Sequence, residues 1–143
     1  MNISNSSRQF VCEKGEQVET ENRKFRRFVA QDMAFAVFRP HFTKLGKIKD
    51  ISKGGMAFEY VTFEGAKKDS GEIDLFVSGA RFHLSRIPAM TVYDCSVGKN
   101  HYTFNPFVER RRCAVQFGEL TQEQATQLRH FLEAHTTGLA AYQ

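Results

Sequence analysis

From Val29 onward apolar residues recur at every second position, and the repeat is broken at short intervals by glycine, proline and small polar clusters. Met33, Phe35 and Val37 alternate with Ala34, Ala36 and Phe38 before Arg39-Pro40 ends the run, which predicts a first strand. Lys44 to Ile51 predicts a second. Gly54-Gly55 then punctuates the chain, and Met56, Phe58 and Tyr60 alternate with Ala57, Glu59 and Val61, making a hairpin with Asp50 and Ser52 at its mouth. Beyond the polar break Lys67–Gly71, Ile73, Leu75 and Val77 alternate, Ser78-Gly79 turns, and Phe82 with Leu84 starts another strand. Ile87 to Cys95 and Arg112 to Phe117 add two more. Phe35 and Phe58 fall where a core is required.

The chain's end changes period. Thr121 is an N-cap, Gln124 completes a capping box, and Leu120 is placed to staple Ala125. Ala125, Leu128, Phe131, Leu132 and His135 then follow the helical repeat, and Gly138 is the natural stop. Short strands with frequent turns, followed by one amphipathic helix, predict a mostly β domain: a small antiparallel barrel or sandwich on which the helix docks. Residues 1–21 are polar and charged without a clear period, and are expected to form an N-terminal arm. Residues 138–143 are expected to be a short tail.

A length of 143 residues suits one domain with a proper core, and 41% hydrophobic content with 25% charged residues marks a globular protein. Lys and Arg outnumber Asp and Glu by 20 to 16, a balance that permits an anionic ligand without demanding a polyanion. Cys12, Cys95 and Cys113 are odd in number and widely spaced, which argues against a disulfide framework and a zinc site and favours a reducing compartment. No apolar stretch approaches bilayer length and the amino terminus has no apolar signal core, so no membrane insertion and a cytoplasmic location are expected.

The candidate chemistry lies in two stretches. Arg23 and Arg27, four residues apart in Asn-Arg-Lys-Phe-Arg-Arg-Phe, offer two planar guanidinium forks suited to phosphate oxygens and purine edges or faces. Asp50, Ser52 and Gly55, in Asp-Ile-Ser-Lys-Gly-Gly, offer a carboxylate, a hydroxyl and an unencumbered backbone at a strand-to-turn junction. Taken singly, the second stretch reads as an ordinary turn in which Asp and Ser bond their own backbone, and the first as a solvated basic run. Their occurrence in order, with a strand between them, favours one shared site.

Arg-x-x-x-Arg followed by Asp-x-Ser-x-x-Gly resembles the signature of the PilZ domain, a bacterial receptor for cyclic di-GMP. Arg111-Arg-Cys-Ala-Val-Gln-Phe117-Gly-Glu-Leu120-Thr likewise resembles that family's last strand and the start of its helix. The resemblance covers roughly residues 22–137. It implies a six-stranded barrel with one C-terminal helix, cyclic di-GMP as ligand with no further cofactor, and no enzymatic activity. It also implies an adaptor acting through an unidentified protein effector in motility, polysaccharide production or secretion. Arg23, Arg27, Asp50, Ser52 and Gly55 would hold the ligand. The neighbourhood of Asn22 would bear on whether one ligand molecule or a stacked pair is bound.

The chemistry of those side chains suits a guanine dinucleotide. Guanine's pairing edge carries adjacent N–H donors that one carboxylate accepts together, which suits Asp50, and its O6 and N7 match an arginine fork. Micromolar affinity needs about 8 kcal/mol, which five or six charge-assisted or stacking contacts of roughly 1.5–3 kcal/mol supply. Ordering a loose arm costs on the order of 1–2 kcal/mol per residue, so the ligand is expected to engage the Arg23–Arg27 segment heavily and pull it onto the barrel. Lys24 and Arg26 are expected to stay solvated. Two other readings compete: a single-strand nucleic-acid-binding barrel, disfavoured because the phenylalanines are needed inside, and a PilZ-like interaction module that binds no nucleotide.

Other clusters read as structure. Glu109-Arg-Arg-Arg112 is expected to be a charged strand start that blunts edge pairing. His41, His83, His101, His130 and His135 lack metal spacing, with His130 and His135 pointing to different helix faces. Glu72 and Asp74 are read as alternating solvent-facing acids rather than a catalytic pair. No P-loop, nucleophile elbow or dinucleotide fingerprint is present.

Overall fold

The structure is a computed structural model that describes residues 9–12, 16–19, 25–39, 44–62, 70–99 and 108–140. Its strands are β1 (Gln9–Cys12), β2 (Glu16–Glu19), β3 (Phe28–Ala30), β4 (Ala34–Arg39), β5 (Leu45–Ile51), β6 (Gly55–Thr62), β7 (Ser70–Val77), β8 (Phe82–Lys99), β9 (Glu109–Phe117) and β10 (Thr136–Leu139), with one helix, α1 (Gln122–Ala134), before the last. Six of these close into an antiparallel barrel in the order β5-β4-β7-β8-β9-β6, because β6 pairs with both β9 and β5. Closure gives each barrel strand a paired neighbour on both sides. Strands β3 and β10 extend the sheet outward from β5, in the order β10-β3-β5.

The interior is filled by the inward phase of each strand. Phe38, Ile48, Met56, Phe58, Ile73, Leu75, Leu84, Ile87 and Val115 are essentially sealed from solvent, and Leu128 and Phe131 of α1 join the same core. The helix starts as its sequence requires, with the full capping box of Thr121 and Gln124. Gln124 also donates its amide to the carbonyls of Ser85 and Arg86, both at 3.1 Å, so one side chain caps the helix and moors it to β8.

Several expectations are corrected. The first strand is two, β3 and β4, separated by a turn in which Met33 takes a left-handed φ of 74°. On β4 the inward residues are Ala34, Ala36 and Phe38, whereas Phe35 is half-buried on the outer wall, where it stacks on Phe76 at 5.7 Å. Both faces of this segment are apolar, so its period is legible but its phase is not. Phe82–Leu84 and Ile87–Cys95 form one strand, β8, that passes an irregularity of register where Arg86 has φ 61°.

At the start of the chain, β1 and β2 pair as a hairpin, Phe10 opposite Val18, within what reads as a featureless arm. At the other end, α1 stops at Ala134 with His135 as its C-cap, and Gly138 lies inside β10 rather than at the helix end. Cys95 is disulfide-bonded, against the expectation of no disulfide framework, while Cys113 is a buried thiol. Wide spacing along the chain says little about which cysteines a barrel brings together. Among the described residues, no helix is long and apolar enough to cross a membrane.

Candidate functional site

Strand pairing builds a ledge on the outer wall of the barrel. Asp50 of β5 lies opposite Ala57 of β6, which lies opposite Ala114 of β9, which lies opposite Tyr93 of β8. One step along, Glu59 lies opposite Arg112. The two alanines keep the middle of this surface low, and the long side chains on either side lean across it.

Asp50 is the centre of that surface. Its Oδ1 accepts from Arg27 Nη1 at 2.7 Å, and its Oδ2 accepts from Arg112 Nη2 at 2.9 Å. Arg112 also donates its Nε to the Tyr93 hydroxyl at 3.3 Å and lies 3.6 Å from a Glu59 carboxylate oxygen. Burial opposes the Arg112 charge, but Tyr93, Asp50 and Glu59 outweigh it and hold the guanidinium above its ordinary range. Burial likewise raises the Tyr93 phenol, partly offset by Arg112. Asp50 and Arg112 are buried or half-buried, so these bonds work where water screens them poorly. The Arg27 Nε is buried without a hydrogen-bond partner, an unsatisfied donor beside a carboxylate.

Local contacts seat Arg27. Phe25, two residues earlier, lies over the β5–β6 turn so closely that a Cβ on Gly54 would meet its ring at 2.9 Å. The Arg27 carbonyl accepts from the Ala140 N–H at 2.9 Å, just after β10. Protein contacts alone therefore hold the Arg27 end of the basic segment on the barrel, and heavy ligand engagement is not required to place it there. Arg26 is exposed, as its solvated reading requires, and Arg23 lies outside the described residues.

Ser52 and Gly55 have different roles from Asp50. The Ser52 hydroxyl accepts from the Gly54 N–H at 3.1 Å and donates to the Gly55 carbonyl at 3.3 Å, while the Ser52 N–H reaches that carbonyl at 2.8 Å. Ser52 is thus spent on the turn. A Cβ on Gly55 would stand 2.2 Å from the Val115 carbonyl oxygen, so glycine is required there to bring β6 against β9, independently of any ligand. In this structure Ser52 and Gly55 serve the turn and the strand contact, while Arg27 and Asp50 are brought together side chain to side chain.

Arg112 and Tyr93 escape the sequence reading. The run 109–112 is not at an edge: β9 pairs with neighbours on both sides. Its arginines divide by face. Arg111 turns inward to Asp94 at 2.8 Å, beside Lys44 at 2.9 Å and the Tyr60 hydroxyl at 2.5 Å on the same carboxyl group, while Arg112 turns outward to Asp50. The alternation Arg112, Ala114, Gln116 against Cys113, Val115, Phe117 carries the facing. Nothing in the sequence carries the register that sets Arg112 beside a residue 62 positions away.

Asp74 is also misread from sequence. It is 3% exposed and accepts from both nitrogens of an Arg39 fork at 2.9 Å, from the Arg86 backbone at 2.9 Å and from His83 at 3.1 Å. It fastens the irregular stretch of β8. Among the described residues, no group of three or more His, Cys, Asp or Glu is arranged to hold a metal ion.

The chain is similar in fold to solved structures that include a PilZ domain. The PilZ domain of YcgR from Escherichia coli with c-di-GMP superimposes with a TM-score of 0.57 at 14% identity, covering 80% of this chain and 92% of that domain. YcgR from E. coli in complex with c-di-GMP gives 0.54 at 15%, covering 82% of this chain and 46% of the other. The K. pneumonia MrkH–c-di-GMP complex gives 0.59 at 16%, covering 80% and 52%. No family model and no curated protein matches the sequence. The fold is therefore PilZ-like, a closed six-stranded antiparallel barrel with one C-terminal helix. The chain spans about half the length of YcgR and MrkH, and nearly all of the isolated YcgR domain.

Proposed function

We propose that the protein is a non-enzymatic receptor that binds cyclic di-GMP on the Arg27–Asp50–Arg112 ledge and regulates a protein partner through the surface it then presents. The observation that carries this reading is the convergence of Arg27, Asp50 and Arg112 within 2.9 Å on the outer wall, with the Arg27 Nε buried and unpartnered. Asp50 is charge-compensated from both sides, so a guanine donating two N–H groups to it must take the place of one guanidinium. Arg27 is the one to yield, because it approaches from the segment before β3, whereas Arg112 is fixed within a barrel strand. Once released, Arg27 is free to bond phosphate or the guanine O6 and N7 edge. The solved structures of similar fold carry cyclic di-GMP, which supports the ligand class.

Calorimetric titration of the full chain with cyclic di-GMP, cyclic di-AMP and a single-stranded oligonucleotide tests this. Saturable binding of the guanine dinucleotide alone is expected. Binding of the oligonucleotide alone, with a steep salt dependence, overturns it. That second reading has one feature in its favour, the stacked Phe35–Phe76 pair on the outer wall beside Lys47, which suits base stacking.

A further inference from the structure

Away from the ledge, an open cleft of about 650 Å³ lies between α1 and the turn joining β7 to β8. Its lining includes Arg81, Phe82, His83, Gln127, His130 and His135. Phe82 provides the aromatic wall: its ring stacks on His130 at 6.2 Å, meets Phe131 at 5.4 Å and presents to His135 at 5.4 Å. His130 and His135, expected on different helix faces, lie 5.9 Å apart, because the helix ends at Ala134 and the C-cap turns the second ring back. No lining residue bears a carboxylate, and Arg81 adds a cation. Volume and lining suit an aromatic ring with an anionic group beside it.

The adjoining backbone is open as well. Strand β10 follows His135 directly and ends the sheet; among the described residues nothing pairs with its outer edge. The inner edge is tied to the ledge. The His135 carbonyl accepts from the Gln31 N–H at 2.9 Å, its ring nitrogen lies 3.3 Å from the Gln31 side-chain oxygen, β10 pairs with β3, and Ala140 bonds the Arg27 carbonyl. One short clip thus carries a cleft residue at one end and Arg27 at the other.

We propose that the cleft and the free edge of β10 form one docking site for an extended acidic segment of a partner protein, with an aromatic side chain anchored in the cleft, coupled to the ledge through the β3–β10 clip. An exposed strand edge recognises an extended chain by main-chain hydrogen bonds, and the adjacent pocket selects a side chain. A free small ligand is usually buried over most of its surface, whereas this cleft has exposed Arg81, His83 and His130 on its walls and leaves much of its occupant in solvent, as a chain-borne ring tolerates. The coupling half of this inference rests on the receptor function proposed above; the docking half does not.

The test is a ¹⁵N–¹H titration of the full chain with an end-blocked peptide, Thr-Val-Glu-Phe-Glu-Thr-Val. Expected are saturable shifts at His83, His130, His135 and the β10 amides, with at least tenfold weaker binding when alanine replaces the peptide's Phe or lysines replace its Glu residues. Phe82→Ala removes the wall; the exposed-site variants Arg81→Glu and His130→Ala should weaken the peptide at least fivefold without altering the melting curve. Shifts from 3-phenylpropanoate as strong as those from the peptide, with none at β10, would overturn the site as a protein-docking surface, as would no shift from either. Saturating cyclic di-GMP should change the peptide's affinity at least threefold; an unchanged affinity with the dinucleotide bound overturns the coupling. If the dinucleotide never binds, the receptor reading and the coupling fall together, and the peptide titration alone decides the docking site.

Discussion

At the scale of single residues, Asp50 governs the ledge because two guanidinium groups share its two oxygens. Arg27→Ala removes one of them, leaves the carboxylate paired with Arg112 and also removes the unpartnered buried Nε, so the net loss of stability in a thermal melt should be about 1 kcal/mol. The same change deletes the group proposed to meet phosphate or base, and losing two charge-assisted contacts should weaken cyclic di-GMP at least about 100-fold in a calorimetric titration. Arg112→Ala should behave differently. It strips Asp50, Tyr93 and Glu59 of a shared partner, so both stability, by about 1–3 kcal/mol in a denaturant melt, and affinity should fall. Gly55→Ala is the converse case: a methyl group 2.2 Å from the Val115 carbonyl forces β6 away from β9, and about 1–3 kcal/mol of stability should be lost with or without ligand. Retained stability in that variant would show that the two strands are free to separate there.

At the scale of elements, most of the fold was legible and the site only partly so, for a common reason. Strand positions and the helix start follow from local periodicity and capping, and β5, β6, β7 and α1 lie close to where the pattern puts them. Register and facing are long-range properties. They decide that Arg112 reaches Asp50, that Phe35 faces outward, and that Asp74 is sealed inside an irregular stretch of strand. That the Arg27 and Asp50 motifs lie close together was legible from their order along the chain; that the two side chains pair was not, and the Arg112 and Tyr93 side of the ledge comes from later strands. Asp74 allows an element-scale check. Burial alone would raise its carboxyl, but Arg39, the Arg86 N–H and His83 outweigh this and hold it below the ordinary value of about 3.9. A depressed carboxyl adds stability that is complete above the unfolded value and is lost as pH falls through the folded one. The urea midpoint should therefore drop below about pH 4, and Asp74→Asn should both lower the midpoint at pH 7 and flatten its decline across that acid window. An unchanged acid profile in the variant would assign the loss to other carboxylates.

At the scale of the whole molecule, the barrel is closed, whereas the β3–β10 pair, the flap, meets β5 at two register positions and is the part through which the proposed signal would pass. Strand β3 is only three residues long and pairs with β5 at Phe28–Ile51 and Val29–Asp50, which places the ledge carboxylate in the same register as the flap. Release of Arg27 from Asp50, as proposed above, would act directly on the segment that begins at Phe28 and, through Ala140 and Gln31, on β10 and His135. Amide hydrogen exchange should show this as a change in protection at Val29, Ala30 and Thr136–Leu139 on addition of cyclic di-GMP, while core amides of β6 and β9 stay as they are. The change should vanish in Arg27→Ala, even at dinucleotide concentrations that saturate its weakened site, because the guanidinium proposed to move the flap on release is gone. Uniform protection across the barrel would instead mean that the ligand stabilises the fold as a whole and that the flap is not the moving part.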